Sequence, residues 1–256
     1  MFCRYISPNS VIVCIFASQN QTEVRVANVC RSLIINNLKR KEMPLTCQCP
    51  AGNSLTTINV VTCAERFGQI QKIIFQRLDG GNNKIQDGTD AGKAGKYATW
   101  SPFFLNSLAD STKMVITPFV ENPTDDGGDA KTVGGGNESL NGVERVIGSN
   151  PVNFSCRLNN CPQDVVAAIK TLMCECLGGN LGVYLINENG QIEGLLKSGY
   201  WYPIPIQRLF VSDKHHGGLE ADDYNDLSFA FAPNYSDNLD ILTLDQSALT
   251  LAPHAA

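Results

Sequence analysis

The chain reads as mainly β: an antiparallel β-sandwich or partial barrel with one flanking α-helix over about residues 161–178. Three observations support this. Only one stretch, Cys161–Gly179, carries a sustained 3.6-residue apolar period. The remaining ordered-looking segments are short alternating or apolar runs separated by turn residues. Gly and Pro together contribute 22 and 12 residues while only 18% of the chain is charged, a balance that favours many turns over long solvated helices.

In the helix, Pro162 suits the first helical position and Asp164 complements the positive end of the dipole. Val165, Val166, Ile169, Leu172, Met173, Cys176 and Leu177 form the apolar stripe, and Gly178-Gly179 supplies a left-handed stop.

Residues 1–42 differ in composition from the rest of the chain. The apolar run Val11–Ala17 is preceded only by Arg4 and lacks a clear cleavage site, so it makes a poor signal peptide. Lys39-Arg-Lys-Glu42 before Met43-Pro44 is compatible with purine-only codons, as if a ribosome-binding region had been translated in frame. On that reading 1–42 is a mis-called extension and Met43 the start; the alternative is a disordered or partner-binding arm. The segment holds six of the 20 basic and two of the 25 acidic residues, which leaves 14 against 23, a net charge of −9, for 43–256. These residues form one β-rich domain with no internal repeat. So acidic a body disfavours a broad nucleic-acid-binding surface.

Beyond an extended lead-in at Pro44–Thr62, Gln69–Leu78 is the first major strand, closed by Asp79-Gly-Gly-Asn-Asn. Lys84–Gly95 reads as loop and Phe103–Ala109 as short helix or irregular chain. Lys113–Val120 is a strand that Pro118 assigns to an edge or a strand end. Glu121–Asn141 comes next, a long Gly/Asp-rich segment with little to bury. It is a flexible loop or an open hairpin, and the expected inter-subunit contact, carried by Asp125, Asp126, Asp129, Lys131, Val133, Gly134, Gly135 and Asn137. Val143–Ile147 and Val152–Leu158 are strands. Leu181–Ile186 and Gln191–Leu196 form a hairpin around Asn187-Glu-Asn-Gly190. Tyr200–Phe210, with Pro203 and Pro205, is an edge or bulged strand; Leu227–Phe231 and Leu239–Leu244 complete the set.

Candidate chemistry is sparse. Ten cysteines without a signal peptide favour reduced thiols. Cys47, Cys49 and Cys63 lie near the start at Met43, Cys156 and Cys161 have the wrong spacing for a zinc ribbon, and Cys174 and Cys176 point about 200° apart on a helix. Asp213–Asp226 gathers His215 and His216 with Asp213, Glu220, Asp222, Asp223 and Asp226; a cation is conceivable, a solvated acidic connection the plainer reading. Gly88–Ala94 faintly suggests a phosphate loop but has neither the right spacing nor the hydroxyl for magnesium. No nucleophile elbow is present. We expect no catalytic residues, no cofactor and no metal, and find no apolar run long enough for a membrane span.

Several short stretches carry a resemblance: Phe67-Gly-Gln-Ile-Gln-Lys-Ile-Ile-Phe-Gln-Arg77, Gly134-Gly-Gly-Asn137 with Gly142-Val-Glu144, Leu181–Asn187, Pro203-Ile-Pro205, and Gly217-Gly-Leu-Glu220. Spread over most of 67–245, they resemble virion proteins of tailed phages of Bacteroidota-type hosts. The architecture is similar to that of tail tube proteins. That likeness implies a homo-oligomeric, ring-forming subunit that stacks around a DNA channel through loops and terminal arms. It also implies contacts with other virion proteins, a place in the virion after assembly in the host cytoplasm, and DNA passing nearby without specific binding. A head decoration, neck or baseplate subunit is the alternative within the virion, and a metal-dependent enzyme using Asp213–Asp226 the alternative outside it.

Overall fold

The strands arise where the chain alternates. β1 (Ile70–Arg77) puts Ile73 and Phe75 on one face and Ile74 on the other, and all three are buried. It pairs antiparallel along its length with β8 (Leu181–Asn187), in which every residue is buried. These two strands separate two apolar cores. Ile73, Phe75, Leu181, Val183 and Leu185 belong to the first; Ile74, Tyr184 and Ile186 belong to the second. A run apolar on both faces is what a strand between two cores requires. This computed structural model describes residues 66–138 and 140–254, and every element lies within the unit Thr57–Ala256. The extension 1–42, the lead-in 44–62 and Cys47, Cys49 and Cys63 fall outside the described residues.

The fold is mainly β and antiparallel, with a flanking helix. Between β1 and β8 come β2 (Ile85–Gln86), a short helix α1 (Tyr97–Trp100), β3 (Met114–Ile116), β4 (Glu121–Gly127), β5 (Ala130–Gly134), β6 (Glu144–Ser149), β7 (Val152–Asn159) and α2 (Gln163–Leu177). After β8 come β9 (Ile192–Lys197), β10 (Tyr200–Tyr202), β11 (Ile204–Val211), β12 (Tyr224–Phe231) and β13 (Leu239–Leu242). The main sheet runs β2-β10-β9-β8-β11-β12-β7-β4, with β1 joining β8 to β3 and β13 alongside β9. It branches at β8, which meets β11 through Gly182 and Val183 and β9 through Leu185 and Ile186. From β8 the strands β11, β12, β7 and β4 curl back towards β1. There Thr117 N–H donates to Ile73 O (2.9 Å) and Val120 N–H to Gln71 O (2.9 Å). The result is a partial barrel around the first core, in which Phe154, Phe229 and Phe231 pack together at centroid distances of 4.8 to 6.3 Å.

α2 packs against this barrel through Val166, Ile169 and Cys176, while Leu177, expected in the buried stripe, is 88% exposed. Pro162 is the N-cap rather than the first helical residue, and Gly179 takes the left-handed conformation at the stop. The β8–β9 turn is organised by the buried Asn187, whose Oδ1 accepts from Asn189 N–H and Gln191 N–H and whose Nδ2 donates to Phe67 O.

Two expectations are corrected, and two left open between alternatives are decided. The loop assigned to 84–95 contains β2, with Ile85 buried and paired with Trp201. The strand 113–120 keeps its ladder only over Met114–Ile116, ahead of Pro118. Ile204–Val211 is interior to the sheet rather than at an edge, and it is bulged between Gln207 and Phe210, where Arg208 has φ +54°. Pro203 ends β10 and Pro205 lies where β11 barely touches β8, so neither ring interrupts a long ladder. Finally, 121–141 carries two strands, β4 and β5, rather than an unstructured loop, which decides for the open hairpin.

Candidate interaction surface

β4 to β7 form one long ribbon broken in the middle. Its inner half, β4 on β7, lies at the edge of the main sheet. Its outer half, β5 on β6, is a separate two-stranded sheet, so this half is an arm. The break falls at Gly127-Gly128-Asp129 and Asn150-Pro151. Gly127 and Gly128 there have φ of +104° and +81°, and Asn150 N–H donates to Asp129 O (2.9 Å). A side chain at Gly127 would place its Cβ 2.6 Å from Pro151 O, so the bend requires glycine.

No residue of β5 or β6 is buried. Opposite pairs share a face: Thr132 with Val146, Val133 with Arg145, Gly134 with Glu144. Thr132 Oγ1 donates to Glu144 Oε1 (3.0 Å). Val133, Val146 and Ile147 are 44%, 67% and 37% exposed, so aliphatic side chains stand on both faces of a ribbon too narrow to cover them. An isolated two-stranded ribbon is marginal in water, and its open edges and apolar side chains both gain from a neighbour.

The residues expected to make contact are thus divided. Lys131 (opposite Gly148), Val133 and Gly134 lie in the arm, with Gly135 and Asn137 at its tip, where Gly135 O accepts from Glu138 N–H (3.0 Å). Asp129 is at the bend. Asp125 and Asp126 belong to β4, opposite Phe154 and Asn153, and are not part of the arm. Partial desolvation raises the carboxyl of the otherwise exposed Asp125 from its ordinary value where it lines a cleft between β4 and the start of β1. Sequence reasoning missed Arg145, Val146 and Ile147 as surface residues, because a short apolar run reads alike in a core strand and in an exposed one.

The acidic connection Asp213–Asp226 joins β11 to β12 and is braced by ion pairs. Lys170 Nζ lies 2.7 Å from Asp213, Arg157 Nε 3.6 Å and His215 Nε2 3.8 Å from Asp226, and His216 Nδ1 3.3 Å from Asp223. His215 stacks on Tyr224, with the Arg157 guanidinium 4.4 Å from the same ring. Among the described residues no group of three or more His, Cys, Asp or Glu side chains is placed to hold a metal ion. Cys156, Cys161 and Cys176 are buried free thiols and Cys174 an exposed one. No helix among the described residues is long and apolar enough to cross a membrane.

Comparison with protein-family models, with characterised proteins and with solved structures finds no match to this chain.

Proposed function

We propose that this chain is a structural subunit of a tailed-phage virion, of the tail-tube type, which assembles with copies of itself into rings around a DNA channel. The observation that carries the reading is the arm: a barrel-like body extends one ribbon whose aliphatic residues stand open on both faces. Burying such a side chain from full exposure is worth roughly 1.5 to 3 kcal/mol, and Val133, Val146 and Ile147, each about one to two thirds exposed, each offer a neighbour part of that. The net charge of −9 over 43–256 suits a lumen through which DNA passes without sticking. Three carboxylates of the Asp213–Asp226 connection, Asp213, Asp223 and Asp226, each lie beside a lysine or arginine, which favours a structural role over metal-dependent catalysis.

The test is negative-stain microscopy of the purified full chain over a range of concentrations. Rings or tubes with a central channel are expected. A particle that binds isolated phage heads or baseplates without forming rings would move the assignment to another virion subunit. A chain that stays monomeric and binds no virion part overturns it.

A further inference from the structure

We infer that copies of this chain meet head to tail, a leucine knob of one copy entering an apolar groove of the next. This contact deepens the self-assembly proposal and rests on it. The groove, 580 Å³ in volume, is lined by Leu78, Leu195, Tyr202, Pro203 and Pro205, with Lys197 beside them. Part of its wall is backbone alone: a methyl group at Gly80 or Gly179 would meet nothing within 4 Å. Lys197 is exposed and has no ion-pair partner among the described residues.

The knob is Leu219, the most exposed large apolar side chain among the described residues at 106%. It sits in Gly217-Gly218-Leu219-Glu220, at the far end of the β11–β12 connection, on a braced base. Asp223 Oδ1 accepts from Gly217 N–H (3.1 Å), and His215 and Tyr224 exchange backbone hydrogen bonds of 2.8 and 3.0 Å. A leucine held in water on a fixed turn is pre-organised for a pocket. Its neighbour Glu220 is likewise exposed and without an ion-pair partner among the described residues, so knob and groove carry opposite unpaired charges beside apolar surfaces.

The placement of the two sites sets the geometry. β11 starts at Ile204, directly after Pro203 in the groove, and ends at Val211, directly before the connection that carries Leu219. Leu219 is fully exposed and is not among the residues that line the groove, so it does not occupy the groove of its own copy. The second half of α2 lies between the two sites: Lys170, at mid-helix, binds Asp213 in the connection, and Gly178-Gly179 after its last turn borders the groove. Each copy thus offers one knob and one groove at opposite ends of one strand. Such a heterologous contact closes into a ring or continues as a filament.

The experiment is sedimentation of the full chain over a concentration series. Leu219→Asp is expected to weaken association on the order of tenfold or more, because it removes the apolar knob and adds a charge to an apolar groove. Lys197→Glu and Glu220→Lys should each weaken it, and the double variant should restore it. All these side chains are exposed, so circular dichroism and the melting temperature should not move. If the wild type forms rings or tubes and Leu219→Asp does so at the same concentrations, or if the double swap restores nothing, this contact is wrong while the virion reading stands. A wild type that is monomeric at every concentration removes the contact and the self-assembly together.

Discussion

Cys156 shows how far a single side chain feels its surroundings. It points into the first core from β7, and burial, reinforced by the Asp226 carboxylate, pushes its thiol from an ordinary 9.0 up to about 12. The neutral thiol is therefore favoured in the folded state. Its stabilising effect is fully present below pH 9 and is lost as pH rises from 9 towards 12, because the unfolded chain ionises first. By that linkage this thiol should account for a fall of about 3 kcal/mol between pH 8 and pH 11, and the fall should be smaller by that amount in Cys156→Ala, where the buried Cys161 and Tyr184 still contribute. Urea unfolding at pH 8 and at pH 11 measures it; equal falls in the two proteins would refute the assignment. The residue type is legible in the sequence here, and its surroundings are not. The spacing of Cys156 and Cys161 already argues against a zinc site. That the Asp226 carboxylate lies near the first depends on the β7–β12 register, in which Cys156 is opposite Leu227 and Asp226 is opposite Arg157 on the other face.

Among the elements, the helix and the β8–β9 hairpin are the most legible, because each carries a complete local signal: a 3.6 period with a glycine stop, and an Asn-Gly turn between apolar runs. β4 is the least. Glu-Asn-Pro-Thr-Asp-Asp-Gly has poor strand propensity and becomes a strand because β7 offers an unpaired ladder, a tertiary gain that outweighs local preference. Polar side chains bridge that pair where apolar ones usually would: Thr124 Oγ1 lies 2.8 Å from Ser155 Oγ, and Asn159 Nδ2 donates to Glu121 Oε2. The surface residues of the arm are half legible, since local pattern marks its first strand as exposed and its second as core. The division between β4 and the arm also fixes where the ribbon can be cut. Replacing 129–150 with a short turn between β4 and β7 removes only exposed or half-exposed chain among the described residues. The melting temperature should shift by no more than a few degrees while rings or tubes are lost. A shortened protein that assembles like the parent would reduce the arm to decoration.

On the scale of the whole molecule, the class is legible and the pairing is not. A mainly-β chain with one helix follows from periodicity. The branch at β8 does not, because β1 and β8 find each other across all the elements between them by a complementarity of buried faces that no local window contains. Sharing β1–β8 couples the two cores. Both tryptophans, Trp100 and Trp201, lie in the second core, whereas the phenylalanine cluster and α2 belong to the first. Tryptophan fluorescence and far-ultraviolet circular dichroism should therefore trace coincident denaturation curves. Separate midpoints would mean that the cores unfold independently.

The same pairing sets a schedule for synthesis. Ile74 waits for Tyr184, about 110 positions later, and at roughly 5 to 20 residues per second the ribosome needs on the order of 5 to 20 s to deliver it. Throughout that interval β1 has emerged with both faces apolar and its eventual partner not yet made, and β3, beside it, is too short to cover either face. By contrast, the ribbon from β4 to β7 is closed by local contacts and can form as soon as β7 leaves the exit tunnel. The nascent chain thus holds both strands of its arm before it has a body. On a polysome, where copies emerge side by side, those arms are available to one another before any subunit has finished folding.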